Sequence, residues 1–339
     1  MKLVDVLNGA PASPPPIWLM RQAGRYLPEY RELRAKARDF IDFCLTPELA
    51  IEATLQPIRR YGLDAAILFA DILLIPYAAG AGVRFVEGEG PRLDVQDTRA
   101  KIDGLAWDRV AEALGPVYET VSGVRAALPS DVALIGFAGA PWTVATYMVG
   151  GGKDPDRWRA RTFAWREPES MDRLLDHLVD VSVDYLAAQA RAGANVLKLF
   201  DSWSEALPEP LFERVVIGPT RRIVEKLRAA NVDVPIIGFP RGAGNLALRY
   251  AKETGVNALA LDMTNANNAF AALAPQDLVL QGGFDPALLT AGGPGFDAEI
   301  DRLLALFRGR PYVFNLGHGI SLETPPDHVA RLVERVRSA

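Results

Sequence analysis

The sequence predicts an α/β protein, a single (β/α)8 barrel of the TIM type spanning residues 1–339. Two observations carry this reading and a third supports it. Eight short apolar runs recur along the chain, at 17–20, 66–69, 132–137, 195–200, 235–239, 258–261, 278–281 and 312–315. Most are separated by amphipathic segments of helix length, and regular alternation of strand with helix is the pattern of a parallel sheet covered by helices. No stretch of linker composition divides the chain in two. A doubly wound open sheet is the alternative, weakened because no glycine-rich dinucleotide fingerprint follows an early strand.

Residues 1–16 form a lead-in stiffened by Ser13-Pro14-Pro15-Pro16. The stretch 17–34, IWLMRQAGRYLPEYRELR, then reads as a strand emptying into a loop broken by Gly24 and Pro28. Between Pro11 and Pro28 it carries Arg21 and Arg25 and no acid, which suits an anion-binding mouth. Arginine supplies 30 of the 37 basic residues, however, so spacing alone leaves ordinary surface charge equally open. Helices are expected at 29–37 and at 46–61, where Thr46-Pro47-Glu48 supplies a cap, a first-turn proline and an early acid. The apolar run 65–70 ends at Asp71.

Residues 83–95 alternate apolar and polar around Gly88-Glu89-Gly90, which predicts an inserted β-hairpin. A long amphipathic helix is expected over 107–128, and a mobile loop over 148–158, with Gly150-Gly151-Gly152 at its start. Further helices are expected at 169–192, 209–230, 246–253, 296–307 and 327–336. The strands between them run into Asp201, Pro240-Arg241-Gly242, Asp262, Gly282-Gly283 and Leu316-Gly317-His318-Gly319.

Composition narrows the function classes. Hydrophobic residues make up 49% of the chain, enough for a sizeable core. The net charge of −5, with both signs spread along the sequence, argues against a duplex-binding surface. The N-terminus lacks the apolar run of an export signal and no window approaches a membrane span, so a cytoplasmic protein is expected. Cys44 is the single cysteine, which removes internal disulfides and multi-thiolate zinc sites. Following Phe40, Ile41 and Phe43, it reads as a small buried hydrophobe.

Active sites of such barrels lie at the carboxyl ends of the strands. Those ends collect Arg21, Arg25, Asp71, the Gly139-Ala140 turn leading to Tyr147, Asp201-Ser202, Arg241, Asp262, Gln281 and His318. Asp71 follows Leu68-Phe69-Ala70, where a carboxylate in an apolar setting can orient N–H donors or stabilise a developing cation. His318 sits between two glycines that let the backbone approach a ligand, whereas His177 and His328 fall in helices and read as packed or solvated. No two histidines have metal-ligand spacing; a carboxylate-rich site stays open on sequence grounds. Ser202 lacks a nucleophile-elbow pattern and reads as a hydrogen-bonding group. Lys198 alternates with Leu197 and Leu199 and so is expected to point into the barrel. Without a phosphate-cradling loop it does not read as a cofactor lysine.

Seven motifs carry a family resemblance: MRQAGRYLPEYR at 20–31, LFADIL at 68–73, FAGAPWTVATYMVGGG at 137–152, KLFDSW at 198–203, IIGFPRGAG at 236–244, QGGFDP at 281–286 and FNLGHGI at 314–320. In order and across nearly the whole chain, they resemble the uroporphyrinogen decarboxylases. The resemblance implies a cofactor-free, metal-free cytoplasmic barrel enzyme of haem and tetrapyrrole synthesis, usually a homodimer. Its polycarboxylate substrate would lose four acetate carboxyls to become coproporphyrinogen. It also implies roles residue by residue: Arg21 and Arg25 for substrate carboxylates, Asp71 for the pyrrole N–H groups, and Tyr147, Ser202 and His318 at the site. Arg241 would add a further carboxylate contact. Ala70, Met263, Gly283-Phe284 and Ser204-Glu205 depart from the family pattern, and Glu205 would oppose a polyanion if it faced inward. A related thiol or corrinoid methyltransferase and a non-catalytic tetrapyrrole binder are the competing readings.

Overall fold

The computed structural model describes residues 1–86, 88–152 and 154–339. Glu87, in the expected hairpin, and Lys153, in the expected loop, lie outside the described residues. The strands are β1 (Ala65–Ile67), β2 (Arg84–Val86), β3 (Gly90–Arg92), β4 (Ala133–Gly139), β5 (Val196–Asp201), β6 (Ile236–Pro240), β7 (Ala258–Leu261), β8 (Val279–Gly282) and β9 (Tyr312–Val313). Strands β2 and β3 pair antiparallel as the inserted hairpin. The other seven form one parallel sheet in the order β1-β4-β5-β6-β7-β8-β9.

The sheet curls into a barrel, and the opening stretch of the chain closes it. Ile17 bridges Phe314 in parallel, while on its other side Asp64 N donates to Ile17 O at 3.0 Å. The eighth strand position is thus filled, but by a much shorter element than the sequence predicts for 17–20. Beyond Trp18 the chain turns, and two side-chain amides replace the ladder. Leu19 N donates to Gln22 Oε1 at 3.0 Å, and Met20 N donates to Asn315 Oδ1 at 3.0 Å.

Helices differ from expectation where proline intervenes. The expected helix at 107–128 is broken into a 3-10 turn at Trp107–Arg109 and helices Val110–Ala113 and Gly115–Ala127, the last restarting at Gly115-Pro116. Over 209–230, Pro219 cannot donate to the preceding turn, and a π turn at Glu213–Ile217 precedes Gly218–Ala229. Residues 148–150 are helical, belonging to Pro141–Gly150, which ends at Gly151 in the left-handed region.

Register sets which residues share the barrel interior. Phe137, Lys198 and Ile237 are aligned across β4, β5 and β6, as are Gly139, Phe200 and Phe239 one step higher. Lys198, 2% exposed, sends its amine to within 5.0–5.2 Å of the ring centres of Trp18, Phe200 and Phe239. Since Trp18 and Phe239 approach from opposite walls, the side chain crosses the interior, as its strand alternation predicts. Three aromatic faces surround it, and among the described residues no carboxylate pairs with it. Trp18 itself is fixed by donating Nε1 to Gln281 Oε1 at 3.0 Å.

Burial pulls the Lys198 amine from 10.5 down to about 7. Between those values the unfolded chain holds the proton more tightly, so this group costs stability at neutral pH and the cost fades as pH approaches 10. Lys198→Met keeps a long unbranched chain among the rings and removes the charge. It is expected to stabilise the fold by roughly 1–3 kcal/mol at pH 7 in urea unfolding, with a smaller gain at pH 10. A loss of stability instead would mean that the cation–ring attraction outweighs desolvation.

Candidate functional site

The first stretch delivers its arginines through a strained turn. Gln22, fully buried, accepts from Leu19 N, donates Nε2 to Ala65 O at 3.1 Å, and receives the Tyr26 hydroxyl on its own carbonyl at 2.9 Å. Held this way, Arg21 adopts φ 62°, left-handed backbone that residues with a Cβ rarely occupy. Its side chain crosses the last loop: a Cβ on Gly319 would stand 2.3 Å from Arg21 Cδ. Glycine at 319 is therefore required by close approach, and an alanine there would have to push Arg21 aside.

Asp71 follows β1 and stays partly open at the mouth. One oxygen accepts from Leu73 N at 2.8 Å. Its surroundings of protein push the carboxyl up to about 6, against the pull of that N–H and of the nearby Arg21 guanidinium. Tyr147, half-buried on Pro141–Gly150, also lies within reach of the Asp71 and Arg21 charges. Burial raises its phenol above the ordinary value, so it holds its proton at neutral pH.

The ends of β5 and β6 are laced together behind the mouth. Asp201 is fully buried and accepts from Thr143 Oγ1 at 2.5 Å, facing the helix layer, with burial pushing it up to about 7. Asp262 accepts from Gly242 N at 2.7 Å and from Thr264 Oγ1 at 2.6 Å. With Gln281 taken by Trp18, three of the strand-end polar residues serve the scaffold. Ser202 is half-buried, and its carbonyl accepts from Arg241 Nη1 at 3.2 Å. Arg241 also pairs with Glu205 at 3.1 Å. Glu205 does face the mouth, and its charge is answered by Arg241. Ser204, the other departure in that motif, is buried and donates to Asp201 O and Arg241 O.

His318 is half-buried on the loop after β9. Burial, then the charges of Arg21 and Arg241, lower it to about 4, leaving a neutral imidazole at pH 7. These mutual influences bring Arg21, Asp71, Tyr147, Arg241 and His318 to one place, with Ser202 attached through Arg241. Arg25, exposed like Arg21, differs in reach: its charge acts on Tyr30 rather than on Asp71 or His318. His177 stacks on Trp107 and His328 bonds Leu289 O, both in helix packing. Cys44 is buried, as its neighbours predict.

One mouth residue escapes the sequence reading. Arg157, placed there in a mobile loop, lies with its guanidinium 3.6 Å from the ring centre of Trp203. A single arginine among arginines gave no signal, because its stacking partner is 46 positions away. A hollow of about 460 Å³ also opens between Tyr61 and Arg337. It lies at helix C-termini, hence at the other end of the barrel, and gathers no comparable set of groups. Among the described residues no three of His, Cys, Asp or Glu converge as metal ligands.

The uroporphyrinogen decarboxylase (URO-D) family model matches residues 1–339. The chain is 57% identical over 336 residues to the uroporphyrinogen decarboxylase of Maricaulis maris (strain MCS10), covering 99% of this chain and 97% of that one. It is 52% identical to the enzyme of that name from Sinorhizobium fredii (strain NBRC 101917 / NGR234), with coverage of 99% and 97%. Among solved structures, a methyltransferase from Methanosarcina mazei superposes with a TM-score of 0.80 at 21% identity, covering 99% of this chain and 97% of that one. A putative vitamin-B12 independent methionine synthase from Listeria monocytogenes gives 0.53 at 16% identity over 86% of each chain. At such identities the structural matches bear on the barrel and leave chemistry open. Sequence identity above half, sustained over the full length, does not: the chain belongs to the uroporphyrinogen decarboxylase family.

Proposed function

We propose that this chain converts uroporphyrinogen to coproporphyrinogen by turning four acetate side chains into methyls, with Asp71 and Arg21 at the reacting centre. The observation that carries the assignment of roles is their juxtaposition: a partly open carboxylate near an arginine that forms no salt bridge among the described residues, at the carboxyl end of β1. The substrate presents eight carboxylates and a ring of pyrrole N–H groups. Arginine forks suit the former and a fixed carboxylate suits the latter.

Decarboxylating a pyrrole acetate needs an electron sink. Protonation of the adjacent ring carbon supplies one as an iminium-like cation; the C–C bond to the carboxylate then breaks, its electrons neutralise the cation, and carbon dioxide leaves. A proton added to the exocyclic carbon and one lost from the ring restore the pyrrole. Each cycle therefore consumes one proton net and yields one methyl. Asp71 stabilises the cation electrostatically and holds the N–H groups. Arg21 holds the departing carboxylate. Tyr147 retains its proton at neutral pH and lies near Asp71, which suits it to donate directly or through water. His318 enters as a neutral hydrogen-bonding group, and substrate carboxylates binding beside it would offset Arg21 and Arg241 and raise its affinity for a proton. Ser202 and Arg241 complete the binding set, and Arg25 guards the rim.

The thiol or corrinoid methyltransferase reading gains only the structural likeness, and a non-catalytic binder has no use for the Asp71–Tyr147 arrangement. We also propose that the enzyme is a single-domain cytoplasmic homodimer. Supporting this, no helix of the described residues is long and apolar enough to cross a membrane. Trp158 and Trp165 stand 67% and 56% exposed, seven positions apart on one helix. Light scattering of the purified protein reads the assembly directly.

Anaerobic incubation with uroporphyrinogen, followed by chromatography of the oxidised porphyrins, should show stepwise loss of four carboxyls; an unchanged octacarboxylate would sink the activity. Asp71→Asn should lower turnover by about 10²–10³-fold with the fold intact, and full activity in that variant would remove the cation-stabilising role. Because Asp71 takes up a proton as pH falls through about 6, kcat/KM should decline below that value. A profile flat to pH 5 would show that its ionised form is not required. Arg25→Ala should raise KM by up to about tenfold at unchanged kcat, as a lost charged contact at the rim. An unaltered KM would make Arg25 an ordinary surface charge.

A further inference from the structure

Arg157 is held in the mouth by features that serve no evident scaffold purpose. Asp156 and Arg157 both adopt φ 54°, two consecutive strained residues just before the helix Trp158–Arg166. Non-glycine residues in that region persist where surrounding structure over-determines them, and such strain clusters at ligand clamps. The nearby acid is otherwise engaged: the buried Asp154 carboxylate accepts from Arg159 N at 3.1 and 3.3 Å, capping the helix. Among the described residues Arg157 forms no ion pair. Its guanidinium instead lies over Trp203, 3.6 Å from the ring centre, and its charge is felt at Tyr147.

Trp203 is itself tightly positioned. Its N–H donates to Thr143 Oγ1 at 3.1 Å and its carbonyl accepts from Trp142 Nε1 at 2.8 Å. Tyr147 meets its ring edge-on at 6.2 Å. The indole Nε1, buried, makes no hydrogen bond of good geometry and faces the Tyr147 hydroxyl, which it helps to hold. A rigid aromatic platform and a guanidinium in no ion pair together make a place for an anionic oxygen.

The topology says which oxygen. Going round the barrel from the Ile17 segment, β5 is the fourth position and β6 the fifth, so Trp203 lies across the mouth from Arg21 and Arg25. A macrocycle whose carboxylates radiate in all directions, held by Arg21 on one side, presents others to the far wall. Arg241 on that wall is occupied by Glu205, whereas Arg157 is not.

We propose that Arg157, stacked on Trp203, is a further substrate-binding residue that takes a carboxylate of the macrocycle on the side opposite Arg21 and Arg25. The assignment rests on the decarboxylase reading, and the test separates the two. Wild type, Arg157→Gln and Arg157→Lys are compared in steady-state decarboxylation. They are also compared in binding of oxidised uroporphyrin, a stable octacarboxylate, by indole fluorescence quenching. Arg157→Gln should raise KM and the uroporphyrin Kd about tenfold with kcat within about twofold of wild type. Arg157→Lys, which keeps the charge and loses the planar stack, should recover part of that loss and confirms that the position tolerates substitution. KM and Kd within twofold of wild type in Arg157→Gln overturn the proposal. So does a fall in kcat at unchanged Kd, which would assign Arg157 to Tyr147 rather than to substrate. If wild type binds uroporphyrin but turns nothing over, the decarboxylase reading fails on its own, and the Kd comparison still decides whether Arg157 holds a carboxylate.

Discussion

The site depends on how the barrel closes. The seam between the Ile17 segment and β9 contains a single backbone bridge, and two buried amides, Gln22 and Asn315, do the remaining work. Asn315 Oδ1 accepts from both Met20 N and Leu316 N, and Ile320 N returns a bond to Met20 O at 2.9 Å. A β-ladder would have carried the chain straight past the mouth. Side-chain amides instead let it turn at once, which forces Arg21 into left-handed backbone and lays its side chain over Gly319. One joint thereby closes the barrel, places the arginine next to Asp71, and brings the His318 loop against it. Gln22 is paired at both ends of its amide, whereas the buried Asn315 Nδ2 finds no partner, so the joint is specified by Gln22 and by the two bonds on Asn315 Oδ1.

Burial then sets the charge states in the mouth. Asp71 and His318 are shifted in opposite directions, the acid up to about 6 and the imidazole down to about 4, each toward its neutral form. The Leu73 N–H and then Arg21 oppose the first shift, and Arg21 adds to burial in the second, so Asp71 stays ionised at neutral pH while His318 stays uncharged. A polyanion entering this mouth meets fixed cations, the Asp71 carboxylate, the Glu205 carboxylate paired with Arg241, and two groups that hold or await protons. Below it, Lys198 presses against the rings that floor the mouth. Its amine is drawn down to about 7 by burial, as the buried Asp201 carboxyl is pushed up to about 7, and both are places where the interior is electrostatically unfavourable.

Much of this was legible in the residues. The eight apolar runs place all eight barrel positions, because a buried parallel strand must be apolar on both faces. Asp71, Ser202, Arg241 and His318 stand where strand ends predict. Lys198 points inward as alternation requires. What spacing could not reveal was direction at the strand ends. Asp201, Asp262 and Gln281 have the same positional credentials as Asp71, yet their side chains bond Thr143, Gly242 and Trp18, and only three-dimensional neighbours decide that. Helix breaks at Pro116 and Pro219 were visible as residues, but amphipathic periodicity ran through them and concealed the interruption. Arg157 was hidden for a similar reason: a Gly- and Pro-rich segment reads as loop, and nothing local announces that Trp203 will lie beneath it.

Glu205 shows why the departures from the family pattern must be judged in pairs. Alone, an acid facing an octacarboxylate is a defect, and Arg241 alone is a gain. Together they make an ion pair of partly exposed groups, at 29% and 38% exposure, of the kind that water already weakens. A substrate carboxylate arriving at Arg241 therefore competes with Glu205 for one guanidinium, so the net attraction of the β6 wall is smaller than a count of arginines suggests. The attraction that survives the count comes from cations that form no ion pair among the described residues. Two of those in the mouth are Arg21, whose backbone is strained to reach it, and Arg157, whose backbone is strained as well. In both, the strain falls on the residue that carries the unneutralised charge, which is where binding a polyanion gives the largest return.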